Sequence, residues 1–153
     1  RKLGEDLRDY AESVGFTNTK AAGAIQAASD SFFDVFFAIQ QNDARGAFRS
    51  NQTGLRHLAR ARKMGFRDLL RDSEVHAVAG ALDKGVDALQ NALLHPPLTG
   101  GLPASKFRAA ANSLRAGGKK IDAIRRRHGD GNYLGVLANY KSAFNALTGN
   151  AAK

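Results

Sequence analysis

Apolar residues recur at intervals of three and four along most of the chain, the spacing of one face of an α-helix. The first such stretch comprises Leu3, Leu7, Tyr10 and Val14. It predicts a short helix, followed by a connector over residues 15–19. A longer helix is predicted over residues 20–41.

Turn-forming residues divide the middle of the chain into further helices. Residues 50–54 predict a break, after which residues 55–70 are expected to be helical. Asp72 and Ser73 are expected to cap another amphipathic helix. Residues 95–103 contain all three prolines and cannot continue a helix, so they are the expected hinge between two halves of the fold.

The last part of the chain is predicted to be helical from residue 104, with a break or bend at residues 117–118. A turn over residues 129–132 then leads to a final helix over residues 134–147. The pattern predicts no pair of strands. We therefore expect an all-α protein, a compact bundle of about five to seven helices that forms a single domain over residues 1–153.

Four phenylalanines in the second predicted helix cover more than one helix face. That helix is expected either to lie centrally in the bundle or to be partly buried against another subunit. The second alternative makes the four phenylalanines candidates for self-association. They are Phe32, Phe33, Phe36 and Phe37.

Composition narrows the class of protein. The chain has 153 residues, 43% of them hydrophobic, and no cysteine. The absence of cysteine excludes disulfides, thiolate metal sites and cysteine nucleophiles. No apolar run approaches the roughly 20 residues of a membrane-spanning helix, so we expect a soluble or peripheral globular protein.

The net charge of +9 is concentrated in two segments. Residues 45–71 and residues 106–127 each contain eight basic residues and one acidic residue, whereas the rest of the chain is mildly acidic. Selection for solubility alone would intersperse the two signs. The segregation therefore favours a polyanionic partner.

The first basic segment contains a predicted row of cations along one face of a single helix, made up of Arg56, Arg60, Lys63, Arg67 and Arg71. Acidic residues four positions away, which would relieve the repulsion on an ordinary solvated face, are missing from this row. Arg62 projects toward the apolar side and either snorkels or reaches a carboxylate on a neighbouring helix. The candidate phosphate-binding residues of this segment are Arg49, Arg56, Arg60, Lys63, Arg67 and Arg71.

The second basic segment is less regular. Three of its cations share a face if the helix continues through Gly117-Gly118; alternatively, these glycines let a phosphate approach the two lysines that follow them. The three consecutive arginines either contact phosphates on several sides or stabilise a helix C-terminus. The candidate residues here are Arg108, Arg115, Lys119, Lys120, Arg125, Arg126 and Arg127.

The pattern favours binding of a duplex without sequence recognition. It contains no recognition-helix or zinc-finger motif, and the aromatic residues lie away from the basic segments, unlike those of single-strand stacking surfaces. No metal-ligand spacing, phosphate loop or nucleophile elbow supports catalysis. We therefore expect a non-enzymatic protein with no cofactor, no metal and no small-molecule substrate.

The closing stretch Asn139-Tyr-Lys-Ser-Ala-Phe-Asn-Ala146 resembles the C-terminal helix of coat (major capsid) proteins of rod-shaped and filamentous archaeal viruses. The match residue by residue is confined to Ser142–Ala146. The resemblance implies a small helical subunit that wraps double-stranded DNA, kept in an A-like form, inside a helical virion. In such a subunit Ser142–Ala146 would be packing positions.

The leading hypothesis is thus a structural protein that coats double-stranded DNA and assembles with like subunits, identical or different, into the helical filament of a virion. The main alternative is a basic helical adaptor or secretion-signal module that binds an acidic protein, with a cytoplasmic location. A peripheral membrane module is less favoured, because the cationic helices lack exposed Trp or Phe.

Overall fold

The computed structural model describes the backbone of residues 1–15, 19–64, 67–94, 104–127 and 131–148, and the side chains of 1–13, 19–64, 71–84, 105–127 and 131–148. Six helices and no strand occupy these ranges, which confirms the predicted all-α bundle. The helices are α1 (Lys2–Gly15), α2 (Thr19–Gln40), α3 (Ala44–Lys63), α4 (Arg67–Leu94), α5 (Ala104–Arg126) and α6 (Tyr133–Thr148).

The contacts group the chain into two compact units, residues 1–77 and residues 78–153. The boundary falls inside α4, whereas the hinge predicted at residues 95–103 lies outside the described residues. In the first unit α2 packs against both α1 and α3. The core there is formed by apolar side chains that are almost fully buried, among them Leu7, Ile25, Phe32, Leu55 and Leu58.

In the second unit α5 packs against α6. Ala110 of α5 lies in a buried cluster with Ala143 and Leu147 of α6, and Phe107 and Leu114 cover its edge. The side chain of Asn132 accepts a hydrogen bond from the Gly135 N–H (2.9 Å) just before α6 begins. Residues 131–132 are non-helical, as predicted; the remainder of the predicted turn lies outside the described residues.

The break predicted at residues 50–54 is wrong, because α3 runs through this stretch without interruption. Its polar residues serve other purposes. The Asn51 amide is buried and donates to the Ala77 carbonyl of α4 (2.9 Å), and the Thr53 hydroxyl donates back to the Arg49 carbonyl (3.0 Å). Helix α3 begins earlier, where Asp43 caps it by accepting from the Gly46 N–H (2.8 Å).

The bend or break predicted at residues 117–118 is also absent, because α5 is continuous through both glycines. Gly54 and Gly117 lie where two helices come close. A Cβ atom at Gly54 would stand 2.6 Å from the ring of Phe32, and one at Gly117 would stand 2.5 Å from the ring of Tyr140. Glycine is present at both positions because an aromatic ring packs directly on the helix backbone.

The cap predicted at Asp72 and Ser73 is wrong as well. These residues lie inside α4, and the chain instead leaves the helical path at Met64, where α3 ends. The predicted helix over residues 55–70 is therefore divided between α3 and α4. This division changes the geometry of the first basic segment.

The phenylalanine-rich helix α2 uses part of its aromatic surface within its own unit. Phe32 is 4% exposed, and its ring lies against Gly54 of α3. The Phe33 ring lies against Gly4 of α1. The assignment of Phe32 to a self-association surface is thus wrong, and Phe33 serves mainly the α1–α2 contact. Phe36 is half-buried and packs edge-on against Phe37, which is 52% exposed.

Candidate nucleic-acid interface

Helix α3 contains six basic residues and no acidic residue. At about 100° per residue, five of its cations fall within a sector of about 60°. They form an α3 row about 27 Å long, given a rise of about 1.5 Å per residue. The α3 row consists of Arg45, Arg49, Arg56, Arg60 and Lys63, all of them exposed.

The buried side of α3 lies opposite this row. Ala47, Phe48, Leu55, Leu58 and Ala61 are all buried and centre about 150° away around the helix. No cation of the α3 row forms a salt bridge to a carboxylate within the part of the chain that the structure describes. Among the described residues, the row is consequently a positive surface that no carboxylate neutralises by a salt bridge.

The row differs from the one predicted. A single helical row that reaches Arg67 and Arg71 is wrong, because α3 ends at Lys63 and these two arginines belong to α4. The side chain of Arg67 lies outside the described residues, and Arg71 is half-buried. Sequence reasoning missed Arg45 as a member of the row because it placed a helix break at residues 50–54. The spacing of four residues between Arg45 and Arg49 was the available signal.

Arg62 has a different environment from its neighbours on α3. Its side chain is 16% exposed and donates from Nη1 to Oε2 of Glu74 on α4, at 3.0 Å. This contact confirms the second of the two predicted alternatives, a carboxylate on a neighbouring helix. Glu74 is itself 2% exposed, so the pair is a buried cross-link between α3 and α4.

His57 lies between the α3 row and the buried face of α3. Its Nδ1 atom is buried, and no group in the described ranges forms a hydrogen bond with it. Burial lowers the pKa of His57, and the positive charge of Arg60 lowers this pKa further. The pKa of His57 therefore responds to the electrostatic potential of the row.

Helix α5 carries a second exposed row. Because α5 is continuous, Arg108, Arg115 and Lys119 do share a face, and Arg126 joins them within a sector of about 40°. This α5 row is also about 27 Å long. Asp122 lies at its edge, exposed, and forms no salt bridge with a described basic residue. The apolar contacts of α5 with α6 lie on the opposite side of the helix.

The other cations of the second segment point elsewhere. Lys120 is exposed, and its ammonium group donates a hydrogen bond to the side-chain oxygen of Asn139 on α6 (2.7 Å). Arg125 is close enough to lower the pKa of Tyr140, although burial has the larger effect and raises that pKa overall. Arg127 is exposed just beyond the end of α5. The structure thus gathers four of the seven predicted residues of this segment into one row.

The stretch that carries the resemblance to viral coat proteins lies on α6. Ala143 is buried in the cluster with Ala110, Phe144 packs against it, and Ser142 is exposed. Within the described residues, no cluster of three or more His, Cys, Asp or Glu side chains is arranged to hold a metal ion. None of the described helices is long and apolar enough to cross a membrane.

No protein-family model, curated protein or solved structure matches this chain.

Proposed function

We propose that this chain coats double-stranded DNA by binding the phosphate backbone through the rows on α3 and α5, without reading the base sequence. The observation that carries this proposal is the α3 row, five exposed cations aligned on a helix with no acidic residue. A backbone-binding surface needs long, flexible cations at intervals along a line. The α3 row has this form.

The energetics of α3 support a polyanionic ligand. Like charges three or four residues apart destabilise an isolated helix by about 0.2–0.5 kcal/mol per pair. The row contains Arg45 with Arg49, Arg56 with Arg60, and Arg60 with Lys63 at such spacings. A phosphate backbone neutralises these pairs and releases its condensed counterions at the same time, which favours binding.

The dimensions of the row match a duplex. A row of about 27 Å passes roughly 16 phosphates of B-form DNA, since the two strands together present one charge per about 1.7 Å. Fourteen of the 23 basic residues are arginines, whose planar guanidinium groups bind phosphate oxygens in pairs. Between Arg49 and Arg56 the face carries the half-buried polar side chains of Gln52 and Thr53 and no aromatic ring.

Assembly into a helical filament, as the coat of a virion, is the second part of the proposal. Two observations support it: the resemblance of residues 139–146 to archaeal viral coat proteins, and the exposed Phe37 at the end of α2. A coat subunit needs one surface for nucleic acid and another for like subunits. Phe37 and Ile39, 52% and 39% exposed, are the exposed large apolar side chains among the described residues.

Titration of the full chain with long duplexes of unrelated sequence, at several salt concentrations, tests the first part. We expect equal affinities for all sequences and a log–log salt slope of about −4.5 or steeper, from about −0.9 per phosphate neutralised by the five α3 cations. Electron microscopy of the same mixtures tests the second part, with filaments expected when the duplex is present. Negligible duplex binding at about 150 mM salt contradicts the proposal.

The same assay distinguishes the alternative of an acidic protein partner. Poly-glutamate serves as the probe, since it presents carboxylates without the phosphate spacing of a duplex. Tighter binding of poly-glutamate than of DNA at equal charge concentration would support the adaptor hypothesis and overturn DNA coating. Double-stranded RNA in a parallel titration reports whether the rows prefer one kind of duplex.

A further inference from the structure

The two basic helices repeat one another in sequence. Phe48-Arg49 of α3 recurs as Phe107-Arg108 of α5. At the same separation along the chain, Leu55-Arg56 recurs as Leu114-Arg115, and Arg60 corresponds to Lys119. The helix before each basic helix also carries a matching stretch, Ala22-Gly23-Ala24-Ile25 in α2 and Ala79-Gly80-Ala81-Leu82 in α4.

The structure places the repeated residues in equivalent ways. Phe48 and Leu55 are buried on the inner side of α3, and Phe107 and Leu114 pack on the inner side of α5. The cations that follow them, together with Arg60 and Lys119, are exposed on the outer side of each helix. Gly23 and Gly80 are likewise both exposed, with no atom within 4 Å of a Cβ built there.

The two rows also match in charge and length. Helix α3 has six basic and no acidic residues, and α5 has seven basic and one acidic residue, so the two helices have the same net charge. Both rows are about 27 Å long. Each belongs to its own compact unit and is positioned by the apolar contacts of that unit.

We propose that the chain contains two separate duplex-binding sites of one kind, the α3 row and the α5 row, and therefore holds two segments of duplex per subunit. This inference rests on the proposed function. Because the two rows repeat the same order of anchoring apolar residue and cation, they recognise the same ligand chemistry. A subunit with two such sites holds two segments of duplex at once, beyond coating a single stretch of it.

The stoichiometry of binding to a short duplex tests this inference. A random-sequence DNA of 10 base pairs is about 34 Å long, enough to cover one row. Isothermal titration calorimetry of the full chain at about 50 mM salt is expected to give two duplexes per chain. The α3-row variant (Arg49→Gln, Arg56→Gln, Arg60→Gln) and the α5-row variant (Arg108→Gln, Arg115→Gln, Lys119→Gln) are each expected to give one.

Two further variants serve as controls. Lys2→Gln, Arg8→Gln and Lys20→Gln together remove the same charge from exposed positions on α1 and α2, and this variant is expected to keep two duplexes per chain. Arg108→Lys with Arg115→Lys retains the charge of the α5 row and is also expected to keep two. Thermal unfolding of each variant shows whether its fold is intact.

The outcomes separate this inference from the proposed function. One duplex per wild-type chain, or two duplexes on either row variant, overturns the inference but leaves the coating of DNA standing. No binding of the short duplex, together with no binding of long duplexes in the salt titration, overturns both. Co-capture of two differently labelled duplexes by the wild type, lost in both row variants, would add independent support.

Discussion

At the residue scale, single glycines determine how closely the helices of each unit approach one another. Gly54 of α3 lies against the ring of Phe32, and Gly117 of α5 lies against the ring of Tyr140. In both cases the ring belongs to the neighbouring helix of the same unit. Glycine lowers helix propensity by about 1 kcal/mol relative to alanine, and here the close packing offsets that cost.

Adjacent glycines of α5 provide a matched pair for a stability experiment. Gly117→Ala is expected to destabilise the protein by about 1–3 kcal/mol, because its Cβ would overlap the Tyr140 ring. Gly118→Ala meets no atom within 4 Å and is expected to stabilise the protein by up to about 1 kcal/mol through helix propensity. Urea unfolding of both variants measures the difference. Equal unfolding free energies would contradict the packing of Tyr140 on Gly117.

His57 reports on the α3 row through its pKa. Burial and the charge of Arg60 lower this pKa, so Arg60→Gln is expected to raise it. Arg45→Gln removes a cation of the same row about 18 Å along the helix from His57, so it is the control and is expected to leave the pKa of His57 unchanged. Titration of the imidazole by NMR measures both. Bound duplex is expected to raise the same pKa, because phosphates neutralise Arg60.

The sign of the pH dependence follows from the same shift. The folded-state pKa of His57 lies below its unfolded value of about 6.5, so the unfolded chain binds more protons in this window. The stability contributed by His57 is present above about pH 6.5 and is lost as the pH falls through the folded-state pKa. A wild type that is no more acid-sensitive than His57→Gln would contradict this account.

At the scale of the element, α3 carries two kinds of arginine. Arg60 lies in the exposed row, whereas Arg62 crosses to the buried side and pairs with Glu74. The same residue type is therefore exposed for the proposed binding at one position and paired within the fold two positions later. Which role each arginine takes is fixed by its angle around the helix.

Substitution of Arg62 is expected to lower stability, and substitution of Arg60 is expected to lower duplex affinity. Arg62→Gln removes the guanidinium from the buried pair with the Glu74 carboxylate and is expected to destabilise the protein by about 3 kcal/mol. Arg60→Gln is expected to change stability by less than about 0.5 kcal/mol but to weaken duplex binding. Chemical unfolding and DNA titration of each variant check both properties. Equal loss of stability in the two variants would contradict the assignment.

The helical pattern was predictable from sequence, but several boundaries were not. Apolar residues three and four positions apart indicated the helices. The lack of acidic residues four positions from the basic residues indicated the exposed row. The break placed at residues 50–54, the cap at residues 72–73 and the break or bend at residues 117–118 were wrong, because polar residues and glycines locally favour helix ends. In the fold, Asn51 bonds to Ala77, and Gly54 and Gly117 lie against aromatic rings of neighbouring helices, contacts that no local pattern contains.

The shift of one boundary explains why the α3 row was only partly predictable. A helix over residues 55–70 aligns Arg56, Arg60 and Lys63 with Arg67 and Arg71. A helix over Ala44–Lys63 aligns the same three residues with Arg45 and Arg49 instead. Arg56, Arg60 and Lys63 belong to both the predicted row and the observed row, because residues 55–63 are helical in the prediction and in the structure.

At the scale of the whole molecule, assembly needs an apolar surface that the fold leaves uncovered. Phe32 is used inside the first unit, and Phe37 is 52% exposed on the same helix. Substitution of Phe32 is therefore expected to affect folding, and substitution of Phe37 is expected to affect the proposed association. The self-association hypothesis now depends on Phe37 with the half-buried Phe36 beside it.

Substitution of the two phenylalanines tests this division. Phe37→Ser is expected to leave the unfolding free energy nearly unchanged and to reduce filament formation on DNA. Phe32→Ala is expected to destabilise the protein by about 3–5 kcal/mol through the cavity that it creates. Urea unfolding and electron microscopy with DNA measure the two properties. Unaltered filaments in the Phe37→Ser variant would remove Phe37 from the association surface.

The most direct test of the central claim compares two variants of equal net charge on a long random duplex. Arg56→Gln, Arg60→Gln and Lys63→Gln neutralise part of the α3 row, whereas Lys2→Gln, Arg8→Gln and Lys20→Gln neutralise as many exposed cations elsewhere. Both sets of substitutions are made in the α5-row variant, so that binding depends on the α3 row. The α3 substitutions are then expected to lower the magnitude of the log–log salt slope by about 2.7, and the other set is expected to leave it unchanged. Identical slopes and affinities in the two variants would contradict the claim that the aligned cations of α3 bind the backbone.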